Sequence, residues 1–334
     1  MHKFKSVTTS APGKLMLFGE HSVVFGHPCI VTAVDRRLSI TIEANGEEVF
    51  VLDAPDLGLR AYSKKVSDLG KDDLPKEVAF IETCYKLFLA NYPQRQTIHV
   101  TSKNEFKSSY GLGSSSASTV AFAKALSEFY QVPLNNDQLF DLCYRTVLRV
   151  QGVASGFDIA SAIWGGTIYY VTPRGRKMQT KIVEPLQLGK LPFLVGYTGV
   201  KADTATLIRL VQKQQQDQKR RVNRIFADIT LLVEQAKQTL QQQDWPHLGL
   251  LMDENQHLLR QLQVSSIELE NLIAAAKSVG AWGAKLSGAG GGDCMLTLPN
   301  DDGVAPVAQA ITAAGGKMIE VEMNAQGVRV ESLG

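Results

Sequence analysis

Residues 110–117 read Tyr-Gly-Leu-Gly-Ser-Ser-Ser-Ala and run without a break into STVAFAKALSEFY at 118–130, whose apolar residues recur with helical spacing. Gly111 and Gly113 let the backbone curl so that successive N–H groups point one way, and the positive end of the following helix adds to them. A di- or triphosphate suits such a loop. Serine hydroxyls beside it can ligate the Mg²⁺ that accompanies one. Taken alone, a Gly/Ser helix entry with ordinary N-capping accounts for the same residues. Two other phosphate-binding patterns are excluded: no G-x-x-x-x-G-K-[ST] occurs, and the run fails G-x-G-x-x-G at its last position.

Three more clusters carry chemistry. Lys285-Leu-Ser-Gly-Ala-Gly-Gly-Gly-Asp-Cys294 fits neither regular helix nor regular strand, and close backbone approach to a ligand explains it better than a flexible loop just before an apolar strand. Ala11-Pro-Gly-Lys14 and Gly19-Glu20-His21-Ser22 place a lysine, a carboxylate and an imidazole within eight residues, on a strand and the turn after it. Singly, each is an ordinary surface residue. Gln151-Gly-Val-Ala-Ser-Gly-Phe-Asp158 sets an acid against the apolar segment 159–164, where an unpaired carboxylate is expensive to bury; a helix-capping role is the competing reading.

Outward from these clusters, 334 residues suggest about two domains, and 44% hydrophobic residues exclude disorder, collagen and mini-protein scaffolds. A formal charge of +2, with no run of five like charges, does not advertise a nucleic acid or an acidic membrane. Any anion is therefore held locally. Cys29, Cys84, Cys143 and Cys294 form no CxxC pair, which fits a reducing, cytoplasmic setting without a zinc site or a disulfide framework. No secretory h-region and no apolar run of 18 residues appears.

Strands are expected from VTTSAP to LSITIE, at 97–103, 167–171 and 294–298, in PFLVGY and in the tail segments KMIEVEM and GVRVES. Helices are expected at 81–92, 118–130, 137–150, as a polar pair across 204–243, and at 246–262, 265–279 and 304–314. Residues 54–75 read as a long loop. This order indicates α+β rather than a doubly wound sheet.

APGKLMLFGEHSVVFGHP, YGLGSSSAS and KLSGAGGGDC, in that order, resemble the three signature motifs of the GHMP kinase superfamily. Within it, GEHSVVFGHP followed by AVDRR, VGYTGVKADT and MDENQHLLRQLQVSSIELENLI are similar to mevalonate kinase. The resemblance implies a two-domain α+β fold: a ribosomal protein S5 domain 2-like ATP-binding unit, drawn here at 1–188, and a ferredoxin-like unit at 189–334. It also implies γ-phosphoryl transfer from ATP, with Mg²⁺, to the 5-hydroxyl of mevalonate in isoprenoid precursor synthesis. No nucleic-acid or membrane partner is implied, and a homodimer is left open.

By the same resemblance Asp158 is the general base. Lys14 stands beside it, favouring the charged forms of the base and of the acceptor hydroxyl. Tyr110, Gly111, Leu112, Gly113, Ser114, Ser115 and Ser116 cradle the phosphates, with Ser115 as the metal ligand. Glu20, His21, Thr204, Gly288, Ala289 and Gly290 contact the acceptor. Two positions depart from the mevalonate kinase pattern: Val147 stands where a metal-binding Glu is usual, eleven residues before the base, and Asp293 ends a motif that usually reads GAGGGG. One protein ligand fewer implies weaker metal binding rather than metal independence. SGFDIA, YGLGSS and SGAGGGDC resemble phosphomevalonate kinase, whose acceptor needs a basic pocket that Lys103, Lys107, Lys201 and Lys285 could supply. A decarboxylating or 3-hydroxyl-directed relative and a non-catalytic ligand-binding module complete the alternatives.

Overall fold

The computed structural model describes residues 5–71, 74, 76–106, 110–172 and 181–334. Lys107 lies outside them. The N-terminal half runs β1 (Ser6–Phe18), β2 (Pro28–Asn45), β3 (Val49–Ala54), β4 (Leu59–Lys65), α1 (Lys76–Asn91), β5 (Thr97–Asn104), α2 (Ser114–Phe129), α3 (Asn136–Gln151), α4 (Phe157–Trp164), β6 (Thr167–Val171) and β7 (Ile182–Leu186). The remainder runs β8 (Leu194–Tyr197), α5 (Thr204–Asp217), α6 (Lys219–Gln242), α7 (Trp245–Gln261), α8 (Ile267–Ser278), β9 (Gly283–Ser287), β10 (Cys294–Leu298), α9 (Val304–Ala313), β11 (Lys317–Ile319) and β12 (Arg329–Leu333).

The first sheet has the order β12-β1-β2-β5-β3-β4, with β6 on β2 and β7 on β6. The stretch expected to be strands from VTTSAP to LSITIE forms two long ones, because pairing continues through register shifts at Pro12/Gly13 and Met16/Phe18. β2 is long enough to serve two neighbours on one side: its C-terminal part pairs with β5 and its N-terminal part with β6. The second sheet, β11-β8-β10-β9, is antiparallel.

Two buried clusters follow. Val7, Ala11 and Met16 of β1 join the first with Phe80, Phe122, Phe129 and Phe140, whereas Leu15 and Leu17 join the second with Ile229, Leu259 and Leu286. A strand buried on both faces loses the polar alternation of a surface strand, which is why LMLF reads as an unbroken apolar run. Each fully buried aromatic or aliphatic side chain contributes about 1.5–3 kcal/mol. β1 therefore ties both cores together and carries Lys14 along their seam.

Two expectations change. Residues 54–75 are not one long loop: β4 and its flanking turns are fastened to Glu82, which is fully buried and accepts from Tyr62 Oη, Lys64 Nζ (3.3 Å) and the Gly70 N–H (2.6 Å). β4 escapes sequence reading because its side chains are mostly exposed and polar. The last strand, drawn with the second unit, pairs with β1 in the first sheet. Arg37 anchors the approach to it, donating to Ser10 Oγ (2.6 Å) and to the carbonyls of Gln326 (2.7 Å) and Gly327 (2.8 Å). Among the described residues no helix is long and apolar enough to cross a membrane.

Candidate active site

A cavity of about 380 Å³ opens where β1, the start of α2, the start of α4, residues 201–204 and residues 287–293 meet. Lys14, His21, Asp158, Thr204, Gly288 and Ala289, all singled out from sequence, line it. So do Gly111, Gly113, Ser114 and Ser115. The others face elsewhere. Tyr110 packs its ring on Tyr197 at 5.0 Å, Leu112 is buried in the second core, and Ser116, Glu20 and Gly290 are not among the lining residues.

α2 begins at Ser114, four residues before the periodic segment suggests, so the serines belong to its first turn. Its N-cap, Gly113, has a positive φ of 82° and offers no side-chain cap, which leaves the positive end of the helix turned to the cavity for an anion. The loop is clamped onto β1: the Lys14 N–H donates to the Leu112 carbonyl (2.8 Å), and Lys14 Nζ to that of Gly111 (3.0 Å). The Lys14 ammonium is thus tied to the loop, and among the described residues no ion pair joins it to Asp158, although both line the cavity.

Asp158 is the second residue of α4, whose N-cap is Gly156. Its Oδ1 accepts from the Ile159 N–H at 3.1 Å and its Oδ2 from Ser116 Oγ at 2.5 Å. The acid is held from two helices while still lining the cavity.

Glu20 departs most from its expected place. It is fully buried and paired with Lys285, also fully buried, while Asn255 Nδ2 approaches at 3.5 Å. An acceptor in the cavity does not meet it. The buried pair also removes Lys285 from the lysines available to a phosphate, and Lys103 does not line the cavity; of the described lysines proposed for that role only Lys201 does. His21, by contrast, is in place. Its Nε2 donates to the Ala289 carbonyl at 2.8 Å, and burial lowers the imidazole to about 4, so the ring is neutral near pH 7 with Nδ1 as an acceptor.

The glycine cluster is divided in its work. Gly288 faces open space, whereas a Cβ on Gly290 would lie 2.0 Å from the Val264 carbonyl oxygen, on Gly291 2.7 Å from Leu207, and on Gly292 2.6 Å from the Val200 carbonyl oxygen. Three of the four glycines answer to the protein's own packing, not to a ligand. Asp293 keeps a left-handed φ of 56°, which Asp tolerates better than most residues. Its Oδ1 accepts from the Ala202 N–H (3.0 Å) and its backbone pairs with Thr198 and Val200, tying the 198–202 segment to the cluster. Burial raises its carboxyl, while Lys14 and Lys201 oppose the shift.

The donor set fits magnesium only as a partner of phosphate. Among the described residues no group of three or more His, Cys, Asp or Glu side chains could hold a metal by itself, and Val147 lines the cavity with an apolar side chain. Ser115 lines the same wall, and the buried Ser114 Oγ beside it has no hydrogen-bond partner. Hydroxyls with phosphate oxygens and water suit a hard cation that keeps much of its hydration.

Residues 79–166 match the GHMP kinases N terminal domain and residues 236–317 the GHMP kinases C terminal domain. A mevalonate kinase of Pyrococcus horikoshii is 34% identical over 98% of this chain and 99% of its own length, and one of Thermococcus gammatolerans is 33% identical over 98% and 99%. The crystal structure of L. major mevalonate kinase in complex with R-mevalonate superposes with a TM-score of 0.78 at 26% identity, covering 98% of each chain. With the fold, the motif order and the site agreeing, the chain belongs to the GHMP kinase family, among its mevalonate kinases.

Proposed function

We propose that the cavity is the active site of an ATP-dependent mevalonate kinase that phosphorylates the 5-hydroxyl of its acceptor. One observation carries the reading: a carboxylate, a lysine and the uncapped start of a helix converge on a single cavity. Phosphoryl transfer asks for positioning and charge neutralisation rather than covalent chemistry by the protein. Asp158 takes the acceptor hydroxyl proton as the new O–P bond forms and the bond from the γ-phosphorus to the β,γ-bridging oxygen breaks, releasing ADP. The first turn of α2 and Lys14 hold the phosphates. His21 accepts from an acceptor hydroxyl through Nδ1, and Gly288, Ala289 and Thr204 complete the acceptor wall. When bound with ATP, magnesium neutralises phosphate charge, and Ser115, with Ser114 beside it, would hold it.

On the same reading residues 1–188 form the ATP-binding unit and 189–334 the second, apart from the returning strand β12. The setting is cytoplasmic, in keeping with four free, buried thiols, and the product feeds isoprenoid synthesis. A homodimer belongs to this proposal only as an option to be read by light scattering.

The charge around the cavity favours mevalonate over 5-phosphomevalonate, an acceptor with roughly two more negative charges. Among the described residues lining it, the cations Lys14 and Lys201 stand against Asp56, Asp158 and Asp293. Single-turnover ATP consumption tests the reading. ADP forms with mevalonate and not with 5-phosphomevalonate; the reverse, or no turnover with either, overturns it.

A further inference from the structure

We infer that Ser116 is a positioning residue for Asp158, not a member of the phosphate cradle. The inference rests on the proposed role of Asp158 as base. Three serines open α2 in sequence, and their alikeness suggests one shared task, but the structure separates them. Ser114 and Ser115 line the cavity; Ser116 does not and is 2% exposed. Its hydroxyl turns instead to α4 and donates to Asp158 Oδ2 at 2.5 Å.

Asp158 needs such a hold. α4 has only eight residues and starts from a glycine cap, and among the described residues the one other bond its carboxylate makes is to the adjacent Ile159 N–H, at 3.1 Å to Oδ1. A bond to the next residue along the chain restrains the side chain weakly. A donor from a second helix, rooted beside the completely buried Ala121 and Phe122, fixes the carboxylate's rotation. Each carboxylate oxygen accepts more than one hydrogen bond, so engaging Oδ2 with Ser116 leaves it able to take the acceptor proton. A base held within a few tenths of an ångström of its productive position is worth far more than one that samples several rotamers. Ser116 also links the two halves of the reaction: it follows the two serines that face the phosphates and grips the acid that faces the acceptor.

The test is a double-mutant cycle between Ser116→Ala and Asp158→Asn, read as kcat and KM for ATP and for mevalonate. Ser116→Ala is expected to lower kcat about 10-fold, the order expected from lost orientation, with both KM values within about 2-fold of wild type. In the Asp158→Asn background it is expected to change kcat less than about 2-fold, since the residue it serves is gone. Ser116→Thr, which keeps the hydroxyl, is expected to recover most of kcat. A rise in the KM for ATP at constant kcat makes Ser116 a phosphate ligand and overturns the inference. So does a fall in melting temperature with kcat unchanged, or an equal loss in both backgrounds. If Asp158→Asn itself keeps wild-type turnover, the reading of Asp158 as base fails. If that variant is inactive and Ser116→Ala is not, only the role of Ser116 fails.

Discussion

Lys285, on β9, donates its ammonium to Glu20 at the turn after β1, and neither side chain reaches solvent. Burial pushes the Glu20 carboxyl up and the Lys285 ammonium down, each toward its neutral form, and each charge opposes the other's shift. The pair spans the seam between the two cores. Removing one partner strands the other, which costs about 3–5 kcal/mol, whereas replacing both by apolar groups of similar volume is often nearly neutral. Glu20→Met and Lys285→Met are each expected to lower stability to urea by that amount, and the double variant to regain most of it. A double variant as unstable as the sum of the two singles sinks the pairing.

His21 sets a pH dependence whose sign is fixed by its shift from 6.5 down to about 4. Between those values the unfolded chain binds a proton that the folded chain refuses. The stabilisation is therefore complete above pH 6.5 and is lost as pH falls toward 4, by on the order of 3 kcal/mol at 1.36 kcal/mol per pKa unit. His21→Gln places an amide donor close to where Nε2 lies, within reach of the Ala289 carbonyl, and cannot titrate. Melting temperatures from pH 7 to 4.5 should fall less steeply in this variant than in wild type; parallel slopes would show that His21 protonates freely when folded.

Glu82 gathers three donors from β4 and the turn that follows it, and Leu57 and Leu59 at the start of that segment line the cavity. Glu82→Ala removes the acceptor that Tyr62, Lys64 and the Gly70 N–H share, at about 0.5–1.5 kcal/mol for each part-buried bond lost. Faster amide exchange at 59–71 is the expected result. Unchanged exchange in that segment rules out the anchor.

The sequence made legible what periodicity and motif order encode. The polar helical pair at 204–243 appears as α5 and α6, and the strand at 167–171 as β6. The three glycine-bearing motifs locate the cavity. What stayed hidden is which side of a motif faces the ligand. Ser115 and Ser116 are alike in type and adjacent, but successive helical residues point about 100° apart, so one meets the cavity and the other Asp158. Glu20 sits beside His21 and still faces the opposite way, toward a lysine 265 positions distant. A signal for that pair was present: a lysine inside the apolar run AKLSG, just before a buried strand end, needs a partner.

Asp158→Asn keeps the shape and both hydrogen-bond contacts in some form, but removes the basic oxygen. Turnover is expected to fall about 10²–10⁴-fold, the range of general acid–base catalysis, with ATP affinity little changed because α2 and Lys14 are untouched. ATP affinity measured by calorimetry and kcat measured by coupled assay separate the two. Turnover above half of wild type excludes Asp158 as the base.

Gly288 and Gly290 test whether the glycine cluster serves ligand or protein. Both have left-handed φ, 100° and 80°, so alanine at either is strained by roughly 1–2 kcal/mol. Beyond that strain they differ. The Gly288→Ala methyl enters open cavity space, so its effect should appear as a raised KM for mevalonate with a small loss of stability. The Gly290→Ala methyl would lie 2.0 Å from the Val264 carbonyl oxygen, the same oxygen that accepts from the Gly291 N–H at 2.7 Å. Backbone cannot swing aside as a side chain can, so the loop must move and that bond must lengthen. Ala289, which precedes Gly290 and receives the His21 bond, moves with it. Gly290→Ala is therefore expected to lose both stability and acceptor affinity, and its melting temperature should fall well below that of Gly288→Ala. Equal melting temperatures for the two variants would mean that the cluster yields where the packing says it cannot.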